Sequence, residues 1–169
     1  MIRFGMGPSS THNNDSVLLQ IIRTEGHKES GETTWAKPLG GDLYEIEGPL
    51  HLITGVNSGD VVKAKTVQDD SPPVVFEVVS RSGYTTLHIL FSSDVPFTDR
   101  ETVLQTLKKW GATHQMPFDR FYTIEISPLG DSLAANDYLK SLTLEGLLAY
   151  EPDIDMNSLL RLRFAGSDW

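Results

Sequence analysis

Residues 32–65 read ETTWAKPLGGDLYEIEGPLHLITGVNSGDVVKAK, and this stretch decides the fold. Gly40-Gly41 is a turn, and Asp42-Leu43-Tyr44-Glu45-Ile46-Glu47 after it alternates with period two. Leu43, Glu45 and Glu47 fall on one face of that strand, and Tyr44 and Ile46 on the other. Gly48-Pro49 breaks the run, since proline has no N–H for a ladder. Leu50, Leu52 and Ile53 predict a short continuation, and Asn57-Ser58-Gly59-Asp60 turns the chain into the strand Val61 to Lys65. Upstream, Thr33-Thr34-Trp35-Ala36 is a further strand carrying Trp35.

Working outward, Val17 to Ile22 is a short, β-branched apolar run and predicts a strand, with a polar loop from Glu25 to Gly31 after it. Asp69-Asp70-Ser71-Pro72-Pro73 is a solvated loop, Val74 to Val79 an apolar strand, and Arg81-Ser82-Gly83 a tight connection in which Gly83 supplies a positive φ. Tyr84 to Phe91 is the next strand. Short strands at this spacing predict a small antiparallel barrel-like module.

The pattern changes after Phe91. Thr98-Asp99-Arg100-Glu101 has the form of a capping box, and Val103, Leu104, Leu107 and Trp110 follow at helical spacing up to Gly111, an αL cap. Ala112 to Met116 and Arg120 to Ser127 predict two strands, the second with Tyr122, Ile124 and Ile126 as its core face. Asp131 caps a second helix with Leu133, Tyr138, Leu139 and Leu142, and Leu147 to Tyr150 closes the series. From Tyr84 the order is β-α-β-β-α-β, that of a ferredoxin-like split βαβ module. The expected fold class is therefore α+β: a small antiparallel β-barrel-like module packed with a ferredoxin-like module. The division expected is a flexible leader over 1–15, one compact unit over 16–151 and a C-terminal extension over 152–169. Within the unit, 16–80 form the β-module and 81–151 the ferredoxin-like half. The core is expected from Trp35, Leu43 or Tyr44, Val62, Val75, Leu87, Leu104, Leu107, Ile124, Ile126 and Leu139.

Several motifs carry a resemblance. Glu32-Thr33-Thr34-Trp35-Ala36-Lys37-Pro38-Leu39, Gly59-Asp60-Val61-Val62 and Val79-Ser80-Arg81-Ser82-Gly83-Tyr84-Thr85-Thr86 occur in order, with Gly111 after the first helix and Ile126-Ser127-Pro128 before the second. Over roughly Val17 to Glu151, the extent of a single domain, the chain resembles the short bacterial proteins of the DUF4265 domain of unknown function. The resemblance implies no activity and no catalytic residues. Small bacterial families of this kind include acidic immunity proteins of interbacterial toxin systems, and the resemblance extends that expectation here.

Composition narrows the function classes. The 169 residues hold 23 acidic and 14 basic side chains, a formal net charge of −9. That sign opposes nucleic-acid binding and suits steering toward a basic partner. There are no cysteines, which removes disulfides, thiolate catalysis and cysteine zinc sites and suits a cytoplasmic setting. No apolar run reaches the length of a bilayer-spanning helix, and no secretory signal is expected at the start.

Candidate chemistry is sparse. The histidines are His12, His27, His51, His88 and His114, none at metal-ligand spacing to another. His88, within the Tyr84–Phe91 strand, is the one that could act as base or ligand at a barrel mouth. Asp153-Ile154-Asp155-Met156-Asn157 opens like a calcium loop, but Ser158 stands where glycine is needed and Phe164 where the bidentate glutamate belongs. Glu45, Glu47 and Glu77 could share a sheet face, as exposed strand residues routinely do. Arg81 could pair a carboxylate or a phosphate. No nucleophile elbow, phosphate loop or dinucleotide fingerprint is present, so no cofactor is expected. The expected function is a non-enzymatic acidic binding module, an immunity protein occluding a basic toxin, with Asp69, Asp70, Asp153 and Asp155 as first contacts. Alternatives are a small-molecule-sensing module on the ferredoxin-like half, and an enzyme whose site assembles around His88 or His51.

Overall fold

The computed structural model describes residues 3–4, 15–25 and 27–150. Contacts between Cα atoms divide the chain into two units, Met1–Thr86 and Leu87–Trp169.

Unit 1 is built from β1 (Arg3–Phe4), β2 (Val17–Glu25), β3 (Lys28–Gly40), β4 (Leu43–Ile46), β5 (Val61–Lys65) and β6 (Val74–Ser80). Strands β2 to β6 close into a five-stranded barrel in the order β3-β2-β6-β5-β4, with β4 returning to β3, and β1 adds to β3 in parallel. Neighbours are antiparallel except at the closure, where β2 and β6 meet in parallel at Gln20↔Val74. Gln20 N–H donates to the Pro73 carbonyl there at 2.8 Å. Register shifts in β3–β4 and β5–β6 bend the strands as a small barrel requires.

Several expectations change. The loop expected from Glu25 to Gly31 is instead the tip of a long hairpin, β2 and β3 pairing from Val17↔Ala36 out to Glu25↔Lys28. Arg23, Thr24, Glu29 and Ser30 are exposed, so both faces are polar there and hydrophobic alternation cannot signal the strand. The continuation expected at Leu50–Ile53 is not a strand. Residues 47–60 form an irregular segment that inserts Leu50, Ile53 and Val56 into the barrel core beside Leu19, Ile46 and Val62. Trp35 is half-buried and outside the core: Thr34 and Ala36 on either side of it are buried, and side chains alternate along a strand. Leu43, Tyr44 and Val75 are also half-buried, the last two packing against the core edge.

Unit 2 holds a sheet of β7 (Thr85–Phe91), β8 (Ala112–Phe118), β9 (Phe121–Ile126) and β10 (Leu148–Tyr150) in the order β10-β7-β9-β8. Helices α1 (Phe97–Lys108) and α2 (Ser132–Leu144) intervene, giving the sequence β-α-β-β-α-β. Leu104 and Leu107 of α1 and Leu139 of α2 share one core with Ile89, Ile124 and Ile126 of the sheet, as expected. Leu87 is half-buried against that core. On β9 both faces are buried, because Phe121 joins Leu90, Phe118 and Ala149 on the side away from Ile124.

The helix starts differ. Asp131 caps α2, its Oδ1 accepting from Ala134 N–H at 2.9 Å. The capping box at Thr98 does not form: α1 begins at Phe97 behind Pro96, with no side-chain cap, and Thr98 lies inside the helix. A proline favours the start of a helix without offering an acceptor. Gly111, at φ +84°, ends the α1 turn and packs on Gly130, where an added Cβ would collide with the Trp110 carbonyl.

Candidate functional site

The Gly59-Asp60 and Arg81-Ser82 motifs meet in unit 1. Gly59 adopts φ +74°, and a Cβ on it would lie 2.9 Å from the Ser82 Cβ, so the two segments touch at a position only glycine fits. That contact delivers Asp60, which is fully buried. Its Oδ1 accepts from Ser82 N–H at 2.9 Å, and its Oδ2 from Asn57 N–H and Arg81 Nη1, both at 3.0 Å. Arg81 Nη1 also reaches the Gly55 carbonyl at 2.5 Å, and the Ser82 hydroxyl the Ser58 carbonyl at 2.5 Å. A buried carboxylate is tolerated when such partners replace its water. Both oxygens are engaged, so the arrangement ties segment 55–60 to segment 81–82. Arg81, which was expected to be able to pair a carboxylate or a phosphate, pairs the internal carboxylate of Asp60.

A second buried acid holds the other end of the same segment. Glu32, 5% exposed, accepts from His51 N–H through Oε1 at 2.6 Å, and through Oε2 from Leu52 and Ile53 N–H at 2.9 and 3.1 Å. Three successive amides around one carboxylate form an anion nest. Since these amides face Glu32, they cannot join a ladder, which is why Leu50–Ile53 is not a strand. Arg23 adds a bond from Nη1 to the Thr54 hydroxyl at 3.1 Å.

The acidic contacts expected from sequence are partly placed. Asp69 and Asp70 are both exposed in the loop between β5 and β6, with Val67 beside them 68% exposed. Asp70 holds φ +64°, a left-handed conformation that aspartate tolerates better than most residues. Asp153 and Asp155 lie outside the described residues, as do His12, the leader apart from residues 3–4 and 15, and the segment beyond Tyr150. Of Glu45, Glu47 and Glu77, the register sets Glu77 opposite Lys63 and Lys63 opposite Leu43, on the strand face that also carries Glu45. Glu77 pairs with Lys63 at 3.3 Å and Glu47 accepts from the Ser16 hydroxyl at 2.9 Å.

The histidines separate by environment. His88 lies on β7 of the unit 2 sheet, fully buried and stacked on Phe121 with ring centroids 5.7 Å apart. His51 contributes its backbone amide to Glu32. His114, to which sequence reasoning gave no role, lies on β8 edge-on to Tyr122 at 6.0 Å. Burial pushes its pKa below the ordinary histidine value, with the Glu101 charge opposing and Lys108 assisting. The Tyr122 hydroxyl is buried with no hydrogen-bond partner among the described residues. Also among the described residues, no three His, Asp or Glu side chains converge to hold a metal ion, and no helix is long and apolar enough to cross a membrane. Glu32 and His114 were missed because each gains its role from residues distant in sequence.

Comparison with known proteins gives a family and a fold. The family model described as "Domain of unknown function (DUF4265)" matches residues 32–150. No curated protein matches the chain. Among solved structures, one described as "Novel crystal structure of a hypothetical protein from Neisseria gonorrhoeae" aligns with TM-score 0.69 and 13% identity, covering 83% of this chain and 95% of that one. At that identity the likeness concerns the fold alone.

Proposed function

The chain belongs to the DUF4265 family, a domain of unknown function, and we propose that it is a non-enzymatic acidic binding protein whose 66–73 loop engages a basic protein partner. The observation that carries this reading is the loop's composition: exposed Val67 beside exposed Asp69 and Asp70. An apolar contact flanked by carboxylates combines desolvation at the centre with charge steering at the rim. The formal net charge of −9 supports the same direction of steering. The fully buried Asp60 and the nearly buried Glu32 are engaged in holding the 47–60 segment, which leaves recognition to the surface.

The specific form we favour is an immunity protein that covers the basic active site of a toxin. We also read unit 2 as ferredoxin-like, supported by its β-α-β-β-α-β sequence and its β10-β7-β9-β8 order. The test is affinity capture on the immobilised chain and on its D69A/D70A variant, at low salt and at about 0.5 M salt. The reading requires basic proteins retained at low salt by the parent, and retention reduced about tenfold by the double variant. Equal retention by both, or a captured set without basic proteins, rejects it.

A further inference from the structure

Two arginines lie against the unit 2 sheet at the β8–β9 turn and are largely withdrawn from water. The Arg100 side chain, in the first turn of α1, is 12% exposed, and the Arg120 side chain is 21% exposed. Backbone carbonyls fix both: Arg100 Nε donates to Val95 O and Arg120 Nη1 to Phe91 O, each at 3.0 Å. Arg120 occupies the second position of the two-residue turn joining Phe118 to Phe121, at φ +63°. Glycine or asparagine would relax that position. An arginine held there aims a long cationic side chain back at the end of β7.

The carboxylate that both guanidiniums reach is that of Asp119, and it is loosely held. It is 83% exposed, its Oδ1 lies 3.4 Å from Arg100 Nη1 and its Oδ2 3.7 Å from Arg120 Nε. Strong charge-assisted bonds are about 2.7–2.9 Å long. These contacts use Nε and Nη1 of each guanidinium, and the Nη2 donors of both have no hydrogen-bond partner among the described residues. Two withdrawn cations therefore share one solvent-facing monoanion, in a chain whose net charge is negative.

We propose that Arg100 and Arg120 form a binding site for a phosphate monoester, with Asp119 as a tethered placeholder that swings out when the ligand arrives. A dianion matches two guanidiniums in charge and supplies oxygens for the idle Nη2 donors. A simple carboxylate would only repeat what Asp119 already provides.

The full chain titrated with inorganic phosphate at constant ionic strength tests this, followed by backbone amide shifts. Saturable shifts are expected at 95–100 and 118–121. Asp119→Asn, which removes the competing charge, should bind phosphate about tenfold more tightly. Arg120→Gly, which suits the turn, should abolish the shifts with the fold retained. Unchanged affinity in Asp119→Asn, persistent shifts in Arg120→Gly, or acetate binding as tightly as phosphate each overturns the proposal. Tighter binding of a phosphoserine peptide than of glycerol phosphate identifies a protein ligand, and the reverse a metabolite. Either preference requires Arg120, so binding that survives Arg120→Gly overturns the site for both.

Discussion

Gly59 and His114 have the sharpest consequences among single residues. Gly59 combines φ +74° with a Cβ position 2.9 Å from Ser82, whereas Gly41 combines φ +61° with open space. Gly59→Ala should therefore cost about 2–3 kcal/mol, strain plus collision, against roughly 1 kcal/mol for Gly41→Ala, strain alone. Urea unfolding midpoints measure the difference, and equal losses would mean that the Gly59–Ser82 contact yields freely. For His114 the sign follows from its lowered pKa. The unfolded chain binds the proton more readily, so stability is full above the unfolded value of about 6.5 and falls as pH drops through the lower folded value. Unfolding measured at pH of about 7.5 and about 5.5 should show that loss, and His114→Gln should reduce it. An unchanged loss would assign the acid sensitivity elsewhere.

Helix starts and strand ends show which local signals can be trusted alone. Thr98 and Asp131 both precede helical runs with good capping chemistry, yet only Asp131 accepts a bond from its helix. Asp131→Ala should cost about 1 kcal/mol, whereas Thr98→Ala should stay within about 0.5 kcal/mol. A thermal scan of both variants distinguishes them, and equal losses would restore the box at Thr98. The β4 and β5 strands were legible because Tyr44, Ile46, Val62 and Ala64 repeat with period two. The outer β2–β3 hairpin was not, since exposed Arg23, Thr24, Glu29 and Ser30 carry no apolar period. Leu50 to Ile53 misled in the opposite way: the apolar residues mark burial, while the amides between them answer to Glu32, nineteen to twenty-one positions earlier.

At the scale of the molecule, the passage from strands to a helix-bearing segment was legible because the hydrophobic period changes after Phe91 from two to that of a helix. The long-range pairs were not: Asp60 with Arg81, and Arg100 with Asp119, depend on register and on turns that no local window contains. Charge is a property of the whole chain. With a formal net charge of −9, self-repulsion opposes the compact state and is screened by salt. Raising ionic strength from about 10 to about 200 mM with sodium chloride should add about 1 kcal/mol, seen as a rise of ~2–4 °C in Tm. A flat or falling Tm would mean that local pairs such as Lys63–Glu77 outweigh the repulsion.

The grip of Glu32 on residues 51–53 has one more implication. Three convergent amides are a receptor for oxyanions, and the chain fills this receptor with a side chain of its own. A dissolved anion could enter only by displacing a tethered rival, whose effective concentration is on the order of millimolar or more. Because the same three bonds fasten the segment that carries Leu50 and Ile53 into the barrel, displacement would also loosen the core. Self-occupancy thus makes the nest deaf to small carboxylates in solution, and it turns a recognition element into a permanent internal fastening.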